Sequence, residues 1–173
     1  KEGLVAPVRE RLLKKRRQNL DSQPPLDLKP YAAWEFDGDL KSSVNDLDLT
    51  PHGEVRFEDG LVVLDRAYLQ SPALPIDLKM KSLEVTFRLH DVNQQGGGVM
   101  GIQGPGDFFD TIVLGERKPQ HWISGSNGFS RTDDFPDSTE ETETEELLHL
   151  VMVYQEDGNT QLYRNGQPYG GPF

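Results

Sequence analysis

The stretch TQLYRNGQPYGG, Thr160 to Gly171, decides the fold class. Two short runs of β character, Gln161-Leu162-Tyr163 and Gln167-Pro168-Tyr169, flank Arg164-Asn165-Gly166. Asn-Gly is the strongest short hairpin signal, because a type I′ turn needs positive φ at both central residues and Asn and Gly tolerate it best. Leu147 through Tyr154, just upstream, reads as a strand, and Gln155-Glu156-Asp157-Gly158-Asn159 as a second turn. Strand, acidic glycine turn, strand, Asn-Gly turn, strand is a meander with no room for helices.

The same texture extends back to Tyr31. Ser82 to Leu89 is the cleanest alternating run, with Leu83, Val85, Phe87 and Leu89 on one face. Glu54–Phe57 and Leu61–Leu64 flank a turn at Glu58-Asp59-Gly60, and a further turn is read at Asp65-Arg66. Val99–Ile102 follows a glycine turn at Gly96-Gly97-Gly98. Phe109–Leu114 and His121–Ile123 read as strands, as does Ala32–Phe36 ahead of a turn at Asp37-Gly38-Asp39. Strands at this spacing, with turns between them, predict an all-β antiparallel sandwich. Frequent glycine (17) and proline (12) fit such a plan.

Charge divides the 173-residue chain. Residues 1–20 carry seven basic groups against Glu2 and Glu10, a net of +5, inside a chain whose net charge is −11. Leu4, Val5, Val8, Leu12 and Leu13 recur at helical spacing, and Pro7 falls in the first turn, so residues 4–18 read as a short basic helix. A Pro-rich linker completes residues 1–30, and residues 31–173 form the predicted sandwich. The segment 133–146, DDFPDSTEETETEE, holds eight acidic residues and no basic one, and is expected to be an extended, mobile loop.

Composition excludes several functions. An acidic surface argues against nucleic-acid binding. The absence of cysteine removes disulfides, thiol catalysis and cysteine-metal sites. No apolar run reaches the length of a membrane span. The chain begins at Lys1 with no signal-peptide pattern, and is read as a piece of something longer.

Four segments carry a resemblance: WEFDGDL (34–40), LVVLD with AYL (61–69), LEVTF (83–87) and LYRNGQPYG (162–170). Together they resemble the concanavalin A-like lectin/glucanase superfamily in its laminin G-like form. GGGV (96–99), FDTIVLGER (109–117), WISGSNGFSRT (122–132) and YRNGQPYG (163–170) are similar to the laminin G-like module of large planctomycete exported proteins that also carry cytochrome c-like segments. The resemblance covers about residues 31–172 and implies a jelly roll in an extracytoplasmic setting. Such modules continue past the hairpin, and their last strands pair with the first. The expectation is therefore either a fragment that lacks its C-terminal strands and leaves the strand at Trp34 short of a neighbour, or a module shorter than its relatives.

Catalysis is not expected. The superfamily's glucanases use carboxylates spaced E-x-D-x-x-E on one strand, and retaining hydrolysis needs two such groups about 5 Å apart. Glu35-Phe36-Asp37 supplies only the first two positions. His52, His90, His121 and His149 stand in separate elements. Gly96-Gly97-Gly98 lacks the pattern of a phosphate loop. Binding is the better reading, since sugar sites join an aromatic face to amides and carboxylates. The segment His121–Asp134 supplies Trp122, Ser126, Asn127, Phe129, Arg131 and Asp134. The alternative for Trp122 and Phe129 is a place in the core, as for Trp34 and Phe36. Many laminin G-like modules hold one Ca²⁺ at the rim. The resemblance places it at Asp107 and Asp110, with Asp37 and Asp39 as second choice. The expected function is a non-catalytic recognition module, with a glycan as ligand. The rival is a structural module that binds a partner protein or a neighbouring domain.

Overall fold

The computed structural model describes residues 29–173, and the basic helix expected over residues 4–18 lies outside them. Every sheet is antiparallel, and one 3-10 turn at Asn127–Phe129 is the single helical element among the described residues. The chain divides into two compact units, Lys1–Pro75 and Ile76–Phe173.

The described part of the first unit is a two-stranded ribbon, β1 (Thr50–Glu58) and β2 (Leu61–Gln70), preceded by irregular chain. The strand expected at Ala32–Phe36 is reduced to one bridge, Trp34 to Ser42. Two local bonds take its place: the Trp34 indole N–H donates to the Leu47 carbonyl at 2.8 Å, and Ser43 N donates to the Ala33 carbonyl at 2.8 Å. Asp59 (φ 52°) and Gly60 (φ 75°) make the predicted turn. Asp65-Arg66 is not a turn. β2 runs through it, and the register slips between His52 and Glu54. Arg66 (φ 51°) and Gly53 (φ 93°) absorb that slip as a bulge.

The second unit holds two sheets. One has the order β3-β7-β8-β9, with β3 Lys81–Phe87, β7 Leu148–Tyr154, β8 Thr160–Arg164 and β9 Gln167–Pro168. The other has the order β4-β5-β6, with β4 Gly97–Gln103, β5 Phe109–Leu114 and β6 Trp122–Ser126. The Asn165-Gly166 hairpin forms as read, at φ 50° and 79°, and pairs Tyr163 with Pro168. The glycine turn is shorter than expected, because Gly97 and Gly98 already pair with Leu114 and Val113.

Alternation decides the core. Leu83, Val85 and Phe87 of β3 share a face with Leu148, Leu150 and Met152 of β7 and Leu162 of β8. Ile112 and Leu114 of β5 and Trp122 of β6 come from the other sheet, and all belong to one apolar cluster with Phe135 and Tyr169. Leu148, Leu150, Met152 and Leu162 are fully buried, each contributing roughly 1.5–3 kcal/mol. The Phe87 and Trp122 rings meet edge to face at 5.6 Å, joining the sheets at one end of the cluster.

The acidic segment departs from its expected mobile state. Phe135 is 2% exposed in the core, where its ring meets Tyr169 edge to face and Phe173 at a tilt. Glu141 is 1% exposed. Its carboxylate accepts from Arg164 Nε and Nη2 at 2.8 Å, from the Trp122 indole N–H at 3.0 Å, and from the backbone N–H groups of Thr142 and Glu143 at 3.0 Å. One satisfied carboxylate overrides the mutual repulsion of its neighbours. Burial pushes the Glu141 carboxyl up, but the hydrogen bonds from Arg164 and Trp122 outweigh it and hold the group below the ordinary glutamate range.

Candidate functional site

Asp110 sits where the inter-sheet space turns from apolar to polar. It occupies the second position of β5, so alternation aims it the same way as Ile112 and Leu114. Lys81 is likewise in phase with Leu83 and Val85 at the start of β3. The two meet across the sheets, with Lys81 Nζ donating to Asp110 Oδ2 at 2.6 Å. The ammonium also lies 4.3 Å from the Tyr154 ring centre. Tyr154 and Ser124 join the sheets beside it through a 3.0 Å bond between their hydroxyls, and burial pushes the Tyr154 phenol up to about 12.

The other Asp110 oxygen holds Arg131. Nη2 donates to Oδ1 at 2.9 Å and Nε at 3.3 Å. Burial pushes the Asp110 carboxyl up, but the bonds from Lys81 and Arg131 prevail and hold it below the usual aspartate range. The remaining Arg131 donors are also taken: Nη2 by the Phe109 carbonyl at 2.8 Å, and Nη1 by Asn127 Oδ1 at 3.1 Å and Ser130 Oγ at 3.3 Å. All five guanidinium N–H groups are thus engaged within the protein. Its flat face lies 3.8 Å from the centre of the Phe108 ring.

The loop after β6 is fastened by hydroxyls. Thr132 Oγ1 donates to the Ser124 carbonyl at 2.6 Å, and the Ser126 hydroxyl pairs with Thr132 at 2.9 Å. Ser126 Oγ also accepts from Arg131 N at 2.9 Å. Between these anchors the backbone enters the left-handed region twice running, at Gly128 (φ 55°) and Phe129 (φ 56°).

The residues expected to bind a ligand therefore part company. Trp122 is fully buried with its indole spent on Glu141, so it offers no face to a sugar. Ser126 is buried and internally bonded, and Arg131 has no N–H to spare. Asp134 is held by Arg117 Nε at 3.5 Å and Lys118 Nζ at 3.0 Å. Phe129 is 45% exposed, and Asn127 is half-buried. Asp107 lies exposed in the loop before β5. Asp110 already faces two cations, which a calcium ion would have to displace. No group of three or more His, Asp or Glu among the described residues is placed to hold a metal. Asp39 accepts from the Lys41 backbone N–H at 3.0 Å, and Asp37 is exposed.

Sequence reasoning missed Lys81, Phe108, Glu141 and Arg164. Lys81 carries a signal, since a lysine in phase with Leu83, Val85 and Phe87 needs a carboxylate across the core. Arg164 carries a similar one, opposite Leu150 on the inward face of β8. Nothing in the acidic run singles out Glu141, whose partners Trp122 and Arg164 lie 19 residues upstream and 23 residues downstream. No family model, curated protein or solved structure matches the chain.

Proposed function

We propose that the chain is a non-catalytic recognition module of the concanavalin A-like, laminin G-like kind, a jelly roll that binds glycan as part of a larger exported protein. The observation that carries this reading is Phe129. A bulky side chain in the left-handed region costs on the order of 1 kcal/mol. Here that strain serves no burial, for the ring is 45% exposed. Phe108 is 51% exposed, with one face backed by the Arg131 guanidinium. Among the described residues the Asn127 amide Nδ2 has no partner. Two aromatic rings and a free amide donor, on loops locked by Asp110 and Arg131, suit the apolar face and the hydroxyls of a sugar ring.

The buried carboxylates support a non-catalytic role. A general acid in glycoside hydrolysis needs its proton held at neutral pH. Asp110 and Glu141 are both pushed the other way by their cationic partners. A glycan array followed by titration calorimetry, run with and without calcium, tests the proposal. Polysaccharide binding that Phe129→Ala or Phe108→Ala weakens at least tenfold is expected. Binding to no polysaccharide in either condition overturns it.

The ribbon favours a second reading, a protein-interaction module. Among the described residues β1 and β2 form a sheet of two strands, with Phe57, Leu64 and Tyr68 each at least 40% exposed. A two-stranded sheet is marginal alone and offers both edges to an added strand. Light scattering that finds only monomer, together with glycan binding, removes this reading.

A further inference from the structure

We infer that Asn127, and not Asn165, is a site of spontaneous deamidation in the folded chain. The sequence contains two Asn-Gly pairs, Asn127-Gly128 and Asn165-Gly166. Glycine has no Cβ to shield its backbone nitrogen, so in each pair that nitrogen can approach the Asn side-chain carbon. At the first pair, Gly128 N attacks Asn127 Cγ and a C–N bond forms, closing a five-membered succinimide. The bond from Cγ to Nδ2 breaks, and ammonia leaves with the proton that Gly128 N gives up. Water then opens either ring carbonyl, producing aspartate or isoaspartate at 127. Nothing is oxidised or reduced.

The two pairs differ in what holds the side chain. Asn165 Oδ1 accepts from His149 N at 2.9 Å, and Asn165 N donates to the His149 carbonyl at 2.8 Å. His149 belongs to β7, which is paired on both sides. Swinging the Asn165 side chain toward Gly166 N breaks the end of a central strand and distorts a two-residue hairpin closed by Arg164 and Gln167. The Asn127 side chain has no backbone donor of that kind. Its Oδ1 accepts from Arg131 Nη1 at 3.1 Å and Ser130 Oγ at 3.4 Å, two side-chain donors outside any strand, so turning the Asn127 side chain disrupts no backbone pairing. The positive guanidinium sits beside the oxygen that becomes negative as Cγ turns tetrahedral, the arrangement that stabilises an oxyanion. Gly128 is exposed, with no atom within 4 Å of the place a Cβ would occupy.

The product changes the rim. A carboxylate at 127 would compete with Asp110 for Arg131, and isoaspartate adds a backbone methylene beside Phe129. The inference stands independently of any glycan, because its readout is mass. The purified chain is incubated at neutral and mildly alkaline pH, and its peptides are mapped by mass spectrometry with fragmentation that separates aspartate from isoaspartate. In the folded chain, conversion at 127 is expected to outrun that at 165 several-fold. In chain unfolded by urea the two rates should converge. Gly128→Ala should slow conversion at 127 alone. Equal or faster conversion at 165 in the folded chain overturns the inference, as does no conversion at 127 over a period in which the unfolded chain reacts.

Discussion

Phe129 and Glu141 are opposite ways of spending a side chain. Phe129 keeps a strained backbone and an exposed ring, whereas Glu141 is buried with every oxygen bonded. Phe129→Gly relieves left-handed strain of about 1 kcal/mol, and extra freedom of the unfolded chain offsets most of it. Stability measured by urea unfolding should therefore move by less than about 1 kcal/mol while glycan binding is lost; a large drop in stability would show that the ring is structural after all. Glu141→Gln removes the charge opposite Arg164. Breaking a buried pair costs several kcal/mol, but the Arg164 side chain is 30% exposed, so about 2 kcal/mol is the expected loss. The pH dependence has a definite sign. Glu141 and Asp110 titrate lower in the folded chain than in the unfolded one. The unfolded state thus takes up protons first as pH falls, and the stabilisation is complete above about pH 4 and lost below it. Urea midpoints should fall with acidification through that window, and less steeply in Glu141→Gln. At this scale little was legible. Trp122 and Phe129 look alike in sequence, and only the register of β6 separates a core indole from an exposed ring seven residues later.

Elements were easier to read, because turn chemistry and alternation are local. Asn165-Gly166, Asp59-Gly60 and Gly158 all adopt the positive φ that their residue types foretell. Phe109–Leu114 emerged with the bounds read for it, and Lys81–Phe87 within two residues of the alternating run Ser82–Leu89. The failures also have local causes. Asp65-Arg66 has turn composition, yet its partner strand supplies Gly53, whose positive φ lets a bulge accommodate Arg66 without ending β2. Segment 133–146 has the composition of a mobile loop, but it is pinned by long-range bonds that composition does not encode. One pin is backbone: Gly171 N donates to the Pro136 carbonyl at 2.7 Å. Gly170 makes that approach feasible, since a Cβ there would lie 2.3 Å from the Pro136 oxygen at a φ of 86°. Gly170→Ala should accordingly force the segment off the β8–β9 hairpin and cost about 3 kcal/mol. Denaturant unfolding gives the loss, and hydrogen exchange should show it concentrated at residues 135–143. An unchanged exchange pattern would mean that the segment is held without this contact.

For the whole molecule, the uneven distribution of the core matters most. Every residue of the main apolar cluster lies between Leu83 and Phe173, in the unit Ile76–Phe173. The described part of the other unit contributes one strongly buried apolar side chain, Leu47, and a ribbon with no buried residue. Two strands without a packed face bury too little to be stable alone. Turn chemistry and apolar strand runs announced the all-β class from Tyr31 onward, but they could not announce this imbalance, because Val55 and Phe57 alternate and Leu61–Leu64 is a wholly apolar run, as apolar as Leu83, Val85 and Phe87. Which of two alternating ribbons is buried depends on what packs against it, and that is decided far along the chain. The imbalance predicts the order of unfolding. The stretch 71–80 is outside any strand and largely exposed, so a protease should enter there or upstream before it enters the second unit. Limited proteolysis of the intact chain should leave a resistant fragment that begins near Ile76, with intact mass confirming Phe173 as its end. That fragment should unfold in urea in a single transition. Early cuts inside β5, β6 or β7, at protease levels that leave β1 and β2 whole, would mean that the apolar cluster does not set the stability of the chain.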